Sequence, residues 1–290
     1  MKMGKGERVF QIFNYGLLVL ISLMMVLPII HVIAQSFSSN VAINSGKITF
    51  FPIEFVLSNY EAVIGDHSVW RAFLISVIVT VGGTFINLMA TSSLAYPLSR
   101  SEYVGRKVVL IMVLLTLVFQ APLIPNYLLI KELQMLDTLW ALVIPGAIST
   151  FNFFIMRSFF MNIPKELIDS ARIDGSGEIR VLWNIVLPLS KPVMATMGIF
   201  YAVTHWNAYS NALYFINDRT LYPLQVRLRE IVMSDYFGQA NSMVEEIAGT
   251  MSPEGIKMAV IVISTLPIML VYPFLQKHFV KGAMIGSIKS

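Results

Sequence analysis

The sequence predicts an all-α membrane protein with six transmembrane helices, and three observations carry that prediction. Of 290 residues, 56% are hydrophobic and only 13% charged, with a mean hydropathy of +0.70, outside the range of soluble domains. Six stretches contain no Asp, Glu, Lys or Arg: between Arg8 and Lys47, Ala72 to Ser99, Val108 to Ile130, Thr138 to Met156, Pro192 to Asn217 and Met258 to Gln276. The shortest has 19 residues, enough for a helix rising ~1.5 Å per residue to cross a hydrocarbon core of ~30 Å. With the N-terminus inside, the inner segments hold 14 Lys or Arg and 6 acids, whereas the outer ones hold 7 and 11. The positive-inside rule then puts both termini in the cytoplasm, and the basic pI follows from topology and not from nucleic-acid binding.

The first span is expected at about residues 15–35, with Pro28 and His31 in it, leading to an outer loop with Lys47, Glu54, Glu61 and Asp66. Lys2, Lys5 and Arg8 precede it as a signal peptide's basic region would, but the neutral run is too long for one and no small-residue cleavage site follows. The second span, about 70–96, carries Gly82 and Gly83, which let another helix approach closely. Arg100, Arg106 and Lys107 make a short inner loop. The third span, about 108–128, ends in Pro122 and Pro125, and the fourth, about 139–160, is interrupted by Pro145-Gly146. Such breaks are tolerated where neighbouring helices or a wet path satisfy the freed backbone groups. Both a structural kink and a pathway remain open.

The fifth span is expected at about 192–214 and is followed by the largest outer loop, 215–255. Leu224, Leu228, Ile231 and Val232 recur there at helical spacing, implying an amphipathic surface helix. Ser252-Pro253-Glu254 reads as a cap, a first-turn proline and an acid. The sixth span, about 257–276, contains Pro267 and Pro273, and a basic tail, 277–290, closes the chain. Cysteine is absent, which rules out disulfides and thiolate metal sites.

Between the fourth and fifth spans lies a polar, charged segment, 162–188, closed by Pro188 and Pro192. Asn162 is expected to cap a helix, Pro164 to fit its start, and Gly175 to end it in a left-handed conformation. A second short helix from Gly177 is expected to put Ile179, Leu182, Trp183 and Val186 on one stripe. The acids Glu166, Asp169 and Asp174 and the bases Lys165, Arg172 and Arg180 make it a charged knob, and small Ser170 and Ala171 let a partner approach the backbone. On physics alone, a docking knob and an interfacial loop helix weigh equally.

The residues of this segment resemble a known motif. Membrane subunits of ATP-binding-cassette (ABC) importers carry Glu-Ala-Ala, three residues, Gly, nine residues, then Ile-x-Leu-Pro. Here Asp169-Ser170-Ala171, Gly175 and Ile185-Val186-Leu187-Pro188 stand at that spacing. The chain is similar to the carbohydrate-uptake branch over nearly its whole length, including the tail YPFLQKHFVKGAMIGSIKS. The resemblance implies a type I ABC importer permease fold in the bacterial inner (cytoplasmic) membrane. It also implies a coupling helix, in which Glu166, Asp169, Ser170, Ala171, Arg172, Asp174, Gly175 and Pro188 meet the ATPase. The implied partners are a second homologous permease subunit, two cytoplasmic ATPase subunits, an extracytoplasmic solute-binding protein and an oligosaccharide substrate. Asp169 replaces the usual Glu and Ser170 the usual Ala, so the carboxylate is kept but has less reach. The chain lacks G-x-x-x-x-G-K-[ST] and so has no phosphate cradle; MgATP is expected on the partner, no cofactor on this chain. The tail's Lys281, Gly282 and Lys289 either contact the ATPase or hang free.

For a substrate path, Trp206 and Tyr209 offer flat faces for sugar rings, and Asn207 and Asn211, four apart, offer paired donors and acceptors. Interhelical packing and an interfacial aromatic belt are the competing reading. His205 is expected to be neutral and hydrogen-bonded to a neighbouring helix. His31, His67 and His278 show no zinc spacing, and no nucleophile elbow or carboxylate pair suggests a hydrolase. An ion-coupled carrier would need intramembrane acids and inverted repeats, neither of which is present; a membrane scaffold or receptor would use the charged segment for docking alone.

Overall fold

The computed structural model describes residues 5–233 and 253–287. Among these every regular element is a helix, with no strand. Three helices are each long and apolar enough to cross a membrane, and three more crossings arise if each of three bent helix pairs is one span. Two compact units are distinguished, Met1–Val69 with Leu228–Pro267 and Trp70–Arg227 with Ile268–Ser290.

In the first unit, helix α1 (Lys5–Ser36) has no caesura at Pro28, and Phe13, Val19 and Met25 project outward, as expected of a span in lipid. Its end is capped from a distance: buried Asn59, on α3 (Ser58–Gly65), donates to the carbonyls of Ser36 at 3.1 Å and Ser38 at 3.3 Å. Those carbonyls are orphaned by the helix terminus, and a side-chain amide satisfies both. Between them, α2 (Asn40–Asn44) starts on the side chain of Ser39, which accepts from the Ala42 amide.

The second unit holds α4 (His67–Ser99), α5 (Arg106–Val118), α6 (Leu123–Glu132), α7 (Trp140–Val143), α8 (Thr150–Met161), α9 (Lys165–Ile173), α10 (Glu178–Val181), α11 (Leu187–Leu189), α12 (Lys191–Trp206) and α13 (Ser210–Phe215). Three expected spans are not single rods. The third turns by 120° between α5 and α6, where extended Phe119 ends α5 and extended Pro122 opens α6. The fourth bends by 54° at a 3₁₀ turn, Ile144–Gly146, after which Ser149 starts α8 by accepting from the Asn152 amide. The fifth ends at Trp206, and α13 is a separate short helix.

The expected 215–255 loop contains a 3₁₀ turn, Arg219–Leu221, and the amphipathic helix α14 (Leu224–Met233), in which Leu224 and Ile231 are buried. Helix α15 (Pro253–Ser287) begins at Pro253, as expected, and continues past Gln276, so the backbone of the expected tail is helical as far as Ser287. Ser252 and Lys289 lie outside the described residues.

Candidate functional site

The charged segment folds as a helix-turn-helix on an apolar base. In α9 only Ile168 is buried, and it joins Phe153, Met156 and Phe160 of α8 and Val181, Leu182 and Val186 beyond the turn. That anchor leaves Glu166, Asp169, Ser170, Ile173, Asp174 and Gly175 exposed, while Ala171 and Arg172 are half-buried. Gly175 closes α9 at φ 79°, as expected, with its amide on the Arg172 carbonyl and the Ser176 amide on the Ala171 carbonyl, the reach-back pairing of a left-handed helix end.

Two local expectations are corrected. Asn162 does not cap α9: it ends α8 and donates to the Ser158 carbonyl at 3.0 Å, and extended Pro164 precedes α9. The stripe of Ile179, Leu182, Trp183 and Val186 divides, with Leu182 and Val186 buried but Ile179 and Trp183 exposed. The cause is a π turn, Leu182–Val186, where the Leu187 amide reaches the Leu182 carbonyl, five residues back. A 3.6-residue period does not survive that extra residue. Pro188, which lacks an amide, follows at once, and beyond Ser190 the chain bends by 86° into α12.

Arg172 is the electrostatic hub of the segment. It donates through Nε to Glu178 at 2.8 Å and lies 3.6 Å from Asp169 and 3.9 Å from Glu102. The Glu178 hydrogen bond, above all, raises the guanidinium's pKa from its ordinary value. Tyr96, near the end of α4, donates to the other Glu178 oxygen at 2.6 Å. Next to it a cavity of about 590 Å³ is lined by Tyr96, Arg100, Tyr103, Arg172, Glu178 and Trp183, among others.

Above this segment α4 and α8 exchange arginines. Arg100, just past α4, donates to the Phe160 carbonyl at 2.9 Å, and Arg157 of α8 donates to the Leu98 carbonyl at 2.8 Å. Each helix thereby neutralises the negative terminus of the other. Arg100 is only 8% exposed and sits 5.4 Å from the Tyr96 ring centroid; burial, first of all, pulls its pKa down. Neither this exchange nor the Tyr96 contact was expected. The arginines at the ends of two neighbouring apolar runs were the available signal.

Deeper in the unit, polar groups serve the kink in the fourth span. Asn87 Nδ2 donates to the Gly146 carbonyl at 3.3 Å and lies 3.1 Å from His205 Nε2. The expected hydrogen bond from His205 to a neighbouring helix is thus present. The Tyr201 hydroxyl accepts from the Ser149 amide at 3.0 Å and pairs with Thr91 at 2.7 Å. Neighbouring helices therefore satisfy the Gly146 carbonyl and the Ser149 amide beside the break.

The four residues expected along a substrate path are dispersed. Trp206 is buried edge-on against Phe73 at 5.8 Å. Tyr209 packs on an apolar cluster with Val79, Leu142 and Ala212. Asn207 is exposed and bonds back to the Val203 carbonyl, and Asn211 is exposed.

Residues 6–284 match the family model described as binding-protein-dependent transport system inner membrane component. The chain is 44% identical to the polygalacturonan/rhamnogalacturonan transport system permease protein YtcP of Bacillus subtilis (strain 168), over 98% of this chain and 99% of that protein. It is 43% identical to protein LplC of the same organism, over 98% and 96%. Its structure is similar to a solved chain of a bacterial ABC transporter involved in the import of the acidic polysaccharide alginate. The TM-score is 0.88 at 31% identity, covering 96% of this chain and 99% of that one. With an all-helical, membrane-embedded architecture and a family match that spans nearly its whole length, the chain belongs to the binding-protein-dependent transport system inner membrane components, the permease subunits of ABC importers.

Proposed function

We propose that residues 162–188 are the coupling element through which a separate cytoplasmic ATPase drives this permease, and that the importer carries oligosaccharides containing uronic acids. One observation carries the coupling reading. The motif spacing is realised as a helix whose polar face, with Glu166, Asp169, Ser170 and Asp174, stands exposed while buried Ile168 and half-buried Ala171 seat it on the apolar base. A protein face that is charged, rigid and seated on an apolar base is built to be gripped without being deformed. Residues 162–188 and both termini lie on the cytoplasmic side, as the Lys and Arg distribution supports. The partners are a second permease subunit, two ATPase subunits that bind MgATP, and an extracytoplasmic binding protein.

The substrate class is supported by the relatives, since YtcP is named for polygalacturonan and rhamnogalacturonan and the similar solved structure belongs to an alginate importer. Trp206, Asn207, Tyr209 and Asn211 remain candidates for contact with the glycan in a conformation other than this one. Co-purification tests the assembly: the chain is expected to bring down an ATPase whose hydrolysis rises when the liganded binding protein is added. Uptake into liposomes driven by an ion gradient without ATP would sink the reading. A glycan panel on the cognate binding protein, with oligogalacturonates and oligoalginates against neutral oligosaccharides, tests the substrate class.

A further inference from the structure

We infer that the Tyr96 hydroxyl and the Glu178 carboxylate form a latch that makes α4 a second recipient of any displacement of residues 162–188, with Arg172 as the positioning residue that holds Glu178 in place. This rests on the coupling reading of that segment. The covalent route out of the segment runs through the π turn, Pro188 and an 86° bend before it reaches α12. A wide turn and a proline remove regular helical bonds there, and buried Val186, Val193 and Met197 carry that route through the apolar core to α12.

The latch offers a direct one. Tyr96 and Glu178 are 82 residues apart in sequence and 2.6 Å apart in space. Both carboxylate oxygens are engaged, one by the α4 hydroxyl and one by the α9 guanidinium at 2.8 Å. A hydroxyl on an ionised acceptor is a short, strong hydrogen bond, and Tyr96 itself is 4% exposed, which holds the donor in place. A cavity lies on one side of the pair, and on the other the Tyr96 ring shares the apolar cluster of Ile168, Val181 and Leu182, so removing the hydroxyl alone separates the polar link from that packing. From Tyr96 the displacement passes along α4 to Asn87 and Thr91, which hold His205 and Tyr201 of α12.

The chain has no cysteine, so single reporter thiols are unique in this subunit. In the full importer, labelling rates of S93C, at an exposed position of α4 one turn from Tyr96, and of T196C on α12 are measured without nucleotide and with MgATP plus vanadate. With the latch intact both rates are expected to change. In Y96F the nucleotide response at S93C is expected to fall at least threefold while that at T196C and the amount of co-purified ATPase persist. E178Q gives the same pattern and serves if Y96F fails to assemble, and the double variant is no worse than either single one. An unchanged S93C response in Y96F and E178Q overturns the latch. Silence of both reporters with the latch intact overturns the coupling reading itself, and the latch with it.

Discussion

Gly82 and Gly83 are adjacent in α4 but meet different surroundings. A Cβ on Gly83 would lie 2.6 Å from His205 Nε2, whereas one on Gly82 meets nothing within 4 Å. Gly83→Ala is therefore expected to destabilise by about 1–3 kcal/mol through overpacking, and Gly82→Ala to be neutral or stabilising by up to about 1 kcal/mol from helix propensity. Thermal unfolding in detergent distinguishes them: G83A lowers Tm and G82A does not. Asp137 is a second residue with a defined job. At φ 56° it accepts from the amides of Asn217 and Asp218 and from the Asn217 side chain, and these bonds, the Asn217 amide foremost, hold its pKa below the usual carboxylate value. A carboxylate depressed in the folded state stabilises above its unfolded pKa of about 3.9 and loses that contribution as pH falls through the folded value. Amide exchange at Asn217 and Asp218 is expected to accelerate as pH drops below about 4, relative to a distant amide, and Asp137→Ala abolishes that dependence. Gly175 was legible because a left-handed helix end has a residue signature. Asn162 was misread because a side chain that caps forward and one that bonds backward look alike in one dimension.

At the scale of elements, the reciprocal arginines of α4 and α8 and the helix-turn-helix beneath them form one apolar-based block. Charged donors on buried carbonyls are worth about 1.5–3 kcal/mol, so Arg100→Ala and Arg157→Ala are each expected to lower stability by roughly that amount. Measured Tm should fall in both, with Arg106→Ala, whose bond to the Arg100 carbonyl is 3.4 Å, costing less. Periodicity reveals helices wherever a regular repeat faces one environment, which is why α14 was foreseen, whereas α9 was foreseen from Pro164 and Gly175 at its ends. It fails at Leu182–Val186, where one inserted residue rotates Ile179 and Trp183 away from the base that Leu182 and Val186 keep. The breaks at Pro122 and Pro145-Gly146 were visible as punctuation, but the angles of 120° and 54° depend on tertiary contacts no local signal encodes. Contacts such as Tyr96 to Glu178 are set by the fold and were illegible.

For the whole molecule, the absence of cysteine makes sidedness directly measurable. In right-side-out spheroplasts an impermeant maleimide is expected to label N44C at once and S176C only after permeabilisation; the reverse order would invert the topology. Asp169→Lys reverses the charge of an exposed side chain whose pairing with Arg172 at 3.6 Å is worth little in water. The fold is expected to persist, with unchanged Tm, while the co-purified ATPase is lost. Retention of stimulated hydrolysis in that variant would remove Asp169 from the interface. Membrane embedding and family were readable from long neutral runs and one spaced motif, because both are one-dimensional properties. Which polar groups face one another inside the unit was not.

The arginine exchange also has a temporal side. Leu98 and Arg100 leave the ribosome well before Arg157, so an early insertion intermediate holds a guanidinium and a helix-end carbonyl that await partners in a segment not yet made. A nascent chain that stops after α5 is expected to be cleared by membrane proteases faster than one that stops after α8, in pulse-chase, and the completed exchange would mark the point at which half of the permease becomes safe from quality control.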